Sequence, residues 1–354
     1  MRKKSRIAVL VVVLAIVLCV SVIWTISIGP VKIPPETVYM ILRKQLLSGD
    51  ALVSELWSKA QFHIVWDIRV PRVLMGMLTG AGLAMCGAVM QALVLNPIAD
   101  PFILGVSSGA SAGAALALLT PVAWFGGTGQ VTIMAFLGAI AASVLVYTMS
   151  LIGSGTRLQA VAVLLSGTAV NAIMTAVTNF LIFLAKSPES IATVYYWQMG
   201  SLASAQWQTL FLPMRAVIVG AVIFMLCGTR FNLLMMGDED AIALGVRVHR
   251  FRTLMMLVVA LVVASLVSVV GVIGFVGLMI PHLVRMLIGA SDNRIVIPVC
   301  VLMGALYIIW ADAGARGLFE SVEVPLGIIT AFIGAPFFVS LLLRQRLIGK
   351  GGGA

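Results

Sequence analysis

The residues with the most chemical potential in this chain are arginines. Arg69 and Arg72 stand three positions apart in RVPR, and no further charge follows before Asp100. Arg316 closes the segment ADAGAR, 311–316. A guanidinium is a planar fork of donors that never loses its charge, so it suits a carboxylate held bidentately. Two readings stay open for these three: a partner's acidic groups land on them, or they snorkel to the membrane interface. A second cluster is acidic. Asp238, Glu239 and Asp240 precede Ala241-Ile242-Ala243-Leu244 and Gly245. Acids suit the positive end of a short helix, and the glycine suits its left-handed stop. Such a helix either seats in a partner or is a plain connector, and the physics alone leaves both open.

Little else points to catalysis. His63, His249 and His282 are scattered, and Cys19, Cys86, Cys227 and Cys300 lie far apart in apolar runs. No metal-ligand spacing and no disulfide framework emerges, and the cysteines read as small buried hydrophobes. His282 and Arg285, in IPHLVRML, read as a tie between helix ends and lipid head groups rather than as haem ligands. No G-x-x-x-x-G-K-[ST] occurs, since the only Gly-Lys pair is Gly349-Lys350. The chain therefore has no P-loop with which to hydrolyse a nucleotide.

The elements that must position these groups are membrane spans. The chain is 61% hydrophobic and 10% charged, with mean hydropathy +1.12, where a bilayer crossing needs roughly 20 apolar residues. Runs bounded by charge, Pro or Gly predict an all-α integral membrane protein with about ten transmembrane helices: 7–28, 70–94, 99–119, 131–152, 159–184, 209–228, 253–273, 275–290, 295–313 and 326–345. The basic start, Arg2-Lys3-Lys4-Ser5-Arg6, leads into a first span longer than a signal peptide's apolar core, read here as retained. Residues 29–65 form an extracytoplasmic loop carrying a short helix, residues 229–250 a cytoplasmic loop, and 1–354 a single transmembrane domain. With both termini cytoplasmic, the inner segments carry a net +9 and the outer +1, as the positive-inside rule expects. The overall +10 is thus a topology signal and not a nucleic-acid footprint.

Two features of the spans bear on function. Glycines recur at helical spacing, as at Gly105, Gly109 and Gly113, which lets helices approach closely where lipid offers no hydrophobic drive. No carboxylate falls in the middle of a span, where ion-driven carriers bury an ionisable group. A proton-coupled secondary carrier of a small metabolite is the alternative function, and this pattern weighs against it. A membrane scaffold or receptor without transport is a further one.

Six blocks carry a resemblance: RVPRVLMGMLTGAGLAMCGAVMQALVLNPIADPFILGVSSGASAG (69–113), LLSGTAVNAI (164–173), GDEDAIALGV (237–246), GVIGFVGLMIPHLVRMLIGASDNR (271–294), ADAGAR (311–316) and VPLGIITAFIGAPFFVSLL (324–342). In order, and over nearly the whole chain, they resemble the permease subunits of the type II ABC importers for iron-siderophore chelates, haem and vitamin B12. GSGTRLQAV, 153–161, departs from the family pattern. The resemblance implies a vitamin B12 permease-like bundle, multi-pass in the bacterial cytoplasmic membrane. It implies a second permease copy as a homodimer, two ATPase subunits that bind ATP and magnesium, and a soluble or lipid-anchored binding protein. This subunit would hold no metal or cofactor, do no chemistry of its own, and move its cargo by alternating access. Arg69, Arg72 and Arg316 would face the binding protein. Asn96 and Ile98 would narrow the cytoplasmic mouth, with a second constriction at Gln159 to Val161. Asp238, Glu239, Asp240, Leu244 and Gly245 would form the contact that couples the ATPases to the spans.

Overall fold

In the computed structural model the described residues are 2–49, 56–120, 129–154, 160–318 and 322–350. They form helices α1 (Arg2–Ser27), α2 (Pro35–Ser48), α3 (Lys59–His63), α4 (Val70–Val94), α5 (Val106–Leu119), α6 (Gln130–Ser154), α7 (Ala160–Leu184), α8 (Pro188–Gln198), α9 (Trp207–Leu226), α10 (Gly228–Leu234), α11 (Asp238–Ala243), α12 (Val248–Val270), α13 (Val276–Ile288), α14 (Asn293–Gly317) and α15 (Leu326–Lys350). A π-helical stretch, Ile64–Arg69, joins α3 to α4, and a 3-10 turn, Pro101–Leu104, precedes α5.

Seven of these stretches are long and apolar enough to cross a membrane, and three shorter apolar helices accompany them: Val106–Leu119, Val276–Ile288 and Leu326–Ser340. Each of the ten predicted runs has one helix. The run 99–119 is shorter than expected because Asp100 caps the 3-10 turn, accepting from the Phe102 N–H at 2.8 Å. That leaves 14 residues for α5, or about 21 Å of helix. The long run around Gly271 divides where Gly271 (φ 72°) and Phe275 (φ 69°) turn left-handed. The break is stitched to its neighbours: the Ser201 N–H donates to Val270 O, and the Leu326 N–H to Gly200 O. Among the described residues of interval 29–65 there are two helices, α2 and α3, rather than one. The small helices α8 and α10 lie outside the predicted runs.

α4 is the central element, buried along almost its whole length. Its texture explains this position. A Cβ at Gly80 would stand 1.9 Å from Gly304 O on α14, and one at Gly87 would stand 2.0 Å from Gly277 O on α13. Backbones touch there, so dispersion and close packing replace the hydrophobic drive that lipid removes. Gly109 and Gly113 of α5 pack against Gly138 and Met134 of α6 in the same way. α1, by contrast, sits at the rim with most of its surface exposed. The antiparallel course of α4 and α14 defines two ends of the bundle: one holds Arg69, Arg72 and Arg316, and the other holds Leu95, α10, α11 and Asp292.

Candidate functional site

At one end of the bundle the structure brings Arg69, Arg72 and Arg316 together. Docking of a partner's acidic groups and snorkelling to the interface were both open for these residues; the structure buries all three, at 5%, 7% and 5% exposure. Arg72 donates from Nε and Nη2 to Asp312 at 3.0 and 2.9 Å, and from Nη1 to Glu323 at 3.0 Å. Arg316 Nε donates to the other Asp312 oxygen at 3.0 Å. Asp312 itself is 1% exposed, while the Glu323 side chain is 41% exposed.

The remaining donors explain the burial. Arg69 Nη1 donates to Ile26 O (2.8 Å) and Ser27 O (3.0 Å), and its Nη2 reaches Val31 O. Arg316 Nη2 donates to Thr25 O at 2.9 Å, and its Nη1 to Ile28 O. Apart from Val31 O, which lies beyond the helix, these are the carbonyls that a helix leaves orphaned at its C-terminus, here that of α1, and cations there also meet the negative end of the dipole. The cluster therefore locks α1, α4, α14 and the connector before α15 together. The Asp312–Arg316 spacing of four was readable in the sequence. The Arg72–Asp312 pair, 240 positions apart, was not.

The opposite end is built around α11. The turn that ends it is closed by Val246 N–H to Ala241 O and Gly245 N–H to Ile242 O, both 2.9 Å, with Gly245 at φ 86°. This is the αL stop expected of that glycine. Ala241 is buried beneath the helix, whereas Ile242 and Leu244 are 60% and 58% exposed, and Glu239 and Asp240 point to solvent as well. Asp238 differs from its two acidic neighbours. Both of its carboxylate oxygens are held by Arg252, at 2.8 and 3.1 Å. Arg252 is 2% exposed, and its Nε donates to Leu93 O, in the last turn of α4, at 2.9 Å. Sequence reading missed Arg252, although a fully apolar helix opening with arginines was a signal that one of them turns inward.

α4 ends at Leu95, left-handed at φ 53°. Asn96 follows, its N–H on Gln91 O and its Oδ1 accepting from the Ile98 N–H at 3.0 Å, so the side chain closes the turn. Ile98 is 51% exposed. Val161, in the first turn of α7, is 63% exposed, and Gln159 lies outside the described residues. Further along α7, a Cβ at Gly167 would stand 2.1 Å from Ile103 O, so α7 rests on the turn that follows the Asn96–Ile98 loop.

Beside this loop opens a groove of about 630 Å³, lined among others by Gln91, Asn96, Met236, His282, Arg285 and Ser291. Arg285 Nη1 donates to Gln91 Oε1. His282 packs edge-to-face on Phe337 of α15, with ring centroids 6.4 Å apart, which is a packing role. At the start of α14 the Arg294 guanidinium, helped by the Asn232 amide, holds the Asp292 carboxyl down to about 2. Asn232 Oδ1 also accepts from the Asn293 N–H at 2.8 Å, which ties α10 to α14.

Comparison with known proteins fits this architecture. A solved metal-chelate type ABC transporter in an inward-facing conformation superposes with a TM-score of 0.80 at 29% identity, covering 95% of this chain and 99% of that one. The hemin transport system permease HmuU of Yersinia pestis is 38% identical over 302 residues, 85% of this chain and 89% of that protein. The cobalamin import system permease BtuC of Halobacterium salinarum is 39% identical over 283 residues, 80% of this chain and 74% of that protein. The chain is a multi-pass protein of the cytoplasmic membrane. Its residues 13–344 match the FecCD transport family, and the chain belongs to that family.

Proposed function

We propose that this chain is the membrane subunit of an ATP-binding-cassette importer for a bulky iron chelate, haem or cobamide. Two copies line one pathway, most simply as a homodimer. Two partner ATPases hydrolyse ATP below it, and a binding protein delivers the cargo above. The subunit holds no cofactor and performs no catalysis. The observation that carries this reading is α11, a rigid short helix with a closed stop. It presents Ile242 and Leu244 at the end of the bundle opposite the arginine cluster.

Orientation follows from charge: both termini and α11 lie on the cytoplasmic side, and the arginine cluster lies outside. Apolar side chains ringed by Glu239 and Asp240 suit a groove on an ATPase, which seats them and moves them. Asn96, Ile98 and Val161 form the constriction on the same side. The arginine cluster supports docking of the binding protein mainly by fixing the shape of the outer surface. Arg72 Nη1, held by the half-exposed Glu323, is the fork that a partner's carboxylate reaches by displacing that glutamate. Charge here governs encounter and register more than affinity.

Purified chain in lipid nanodiscs should capture its ATPase partner and raise its hydrolysis rate severalfold. Replacing Ile242 and Leu244 together by Asp should abolish both effects while the fold is kept. A wild-type chain that neither binds nor stimulates the ATPase contradicts the proposal and favours a receptor or scaffold.

A further inference from the structure

Arg252 stands between α11 and the last turn of α4. We infer that it is a positioning residue, a strut that passes movement of α11 to the loop 95–98. The inference rests on the reading of α11 as the ATPase contact and of that loop as the gate.

The geometry is specific. α11 is flanked by two glycines in conformations that disfavour side chains, Gly237 at φ 120° and Gly245 at φ 86°, so the backbone can pivot on either side of it. Within Asp238–Ala243 only Ala241 is buried. The Asp238 carboxylate, gripped at both oxygens by Arg252, is thus the main side-chain tether of this helix. On its other edge the same guanidinium takes the Leu93 carbonyl. That carbonyl is an orphan for a covalent reason. Its helical partner would be the N–H of residue 97, and residue 97 is proline.

A guanidinium is planar, so Asp238 and Leu93 are held in one fixed mutual orientation. Two residues beyond Leu93 the chain turns through Leu95, a non-glycine residue in the left-handed region, and enters Asn96-Pro97-Ile98. A left-handed leucine is held by its surroundings and not by its own preference, which makes the turn sensitive to the last turn of α4. Displacing Asp238 therefore pulls on the base of this loop. Arg252 is also shielded from solvent, so the coupling is not dissipated by side-chain freedom.

The test uses the assembled permease and ATPase in nanodiscs, read by amide hydrogen exchange with and without a non-hydrolysable ATP analogue. In the wild type, exchange should change both in 238–246 and in 94–99. Arg252→Gln should keep the change in 238–246 and lose it in 94–99. ATP hydrolysis should stay within about twofold, while cargo moved per ATP falls at least tenfold. Arg252→Lys keeps the charge but cannot hold both oxygens and the carbonyl, so it should behave as Arg252→Gln does. If Arg252→Gln lowers the yield of folded protein, Arg252→Lys serves as the second arm with the same expected split. The strut is overturned if a variant retains the change in 94–99, or if exchange, hydrolysis and transport all fall together as a purely structural role requires. A wild type with no nucleotide-dependent change in 238–246 refutes the α11 reading itself, a distinguishable result.

Discussion

At the residue scale, the chemistry of the arginines was legible and their environment was not. Side-chain type and span polarity put Arg69, Arg72 and Arg316 at one end of the bundle. Only folding reveals that Asp312 and the last carbonyls of α1 are waiting for them. Removing one member of such a buried cluster leaves an uncompensated charge, at a cost of about 3–5 kcal/mol. Arg72→Gln should therefore lower the unfolding midpoint of the detergent-solubilised protein markedly, and Arg72→Lys should not restore it. A midpoint equal to wild type would show that Arg72 is not part of the lock. Asp292 offers a pH test. Its carboxyl is depressed in the folded state, so its stabilising contribution is complete above the ordinary carboxylate range and is lost as pH falls from about 4 toward 2. Wild type and Asp292→Asn should differ in thermal stability at pH 6 and converge over that window. A constant difference down to pH 2 would contradict the assignment.

At the element scale, apolar runs and glycine texture located all ten main helices, because a bilayer permits few ways to satisfy backbone groups. The turn around Gly245 was legible for a similar reason, since a glycine after a short acidic-capped helix has one common use. A Cβ added at Gly245 meets no neighbour within 4 Å, but Gly245→Val must adopt φ 86°. The cost is about 1–2 kcal/mol locally, too little to unfold the chain. Transport per ATP should fall sharply while yield and melting temperature stay near wild type. Unimpaired transport would refute the coupling role of this turn. What stayed hidden were α8, α10, the π-helical entry to α4, and the shortening of the run 99–119 to α5. Each is set by capping or tertiary contact rather than by pattern. Gln159, assigned to the second constriction, lies outside the described residues.

At the scale of the whole molecule, the most apolar helix is the outermost and the central one is comparatively polar and small-residue-rich. α1 faces outward along most of its length, while α4 is wrapped on all sides. Lipid selects bulk and greasiness, and the interior selects close approach. Hydropathy marks both helices as spans without saying which one the others surround, so their order in the bundle was beyond the sequence. The arrangement leaves two differently built ends joined by a rigid middle, which suits a subunit that receives cargo at one end and force at the other. The direct test is cargo uptake into vesicles containing the permease and its ATPase, offered ferric siderophores, haem and cobalamin. Accumulation of one of these should require both internal ATP on the ATPase side and the binding protein on the other. Accumulation driven by a pH gradient with no ATP would contradict the account.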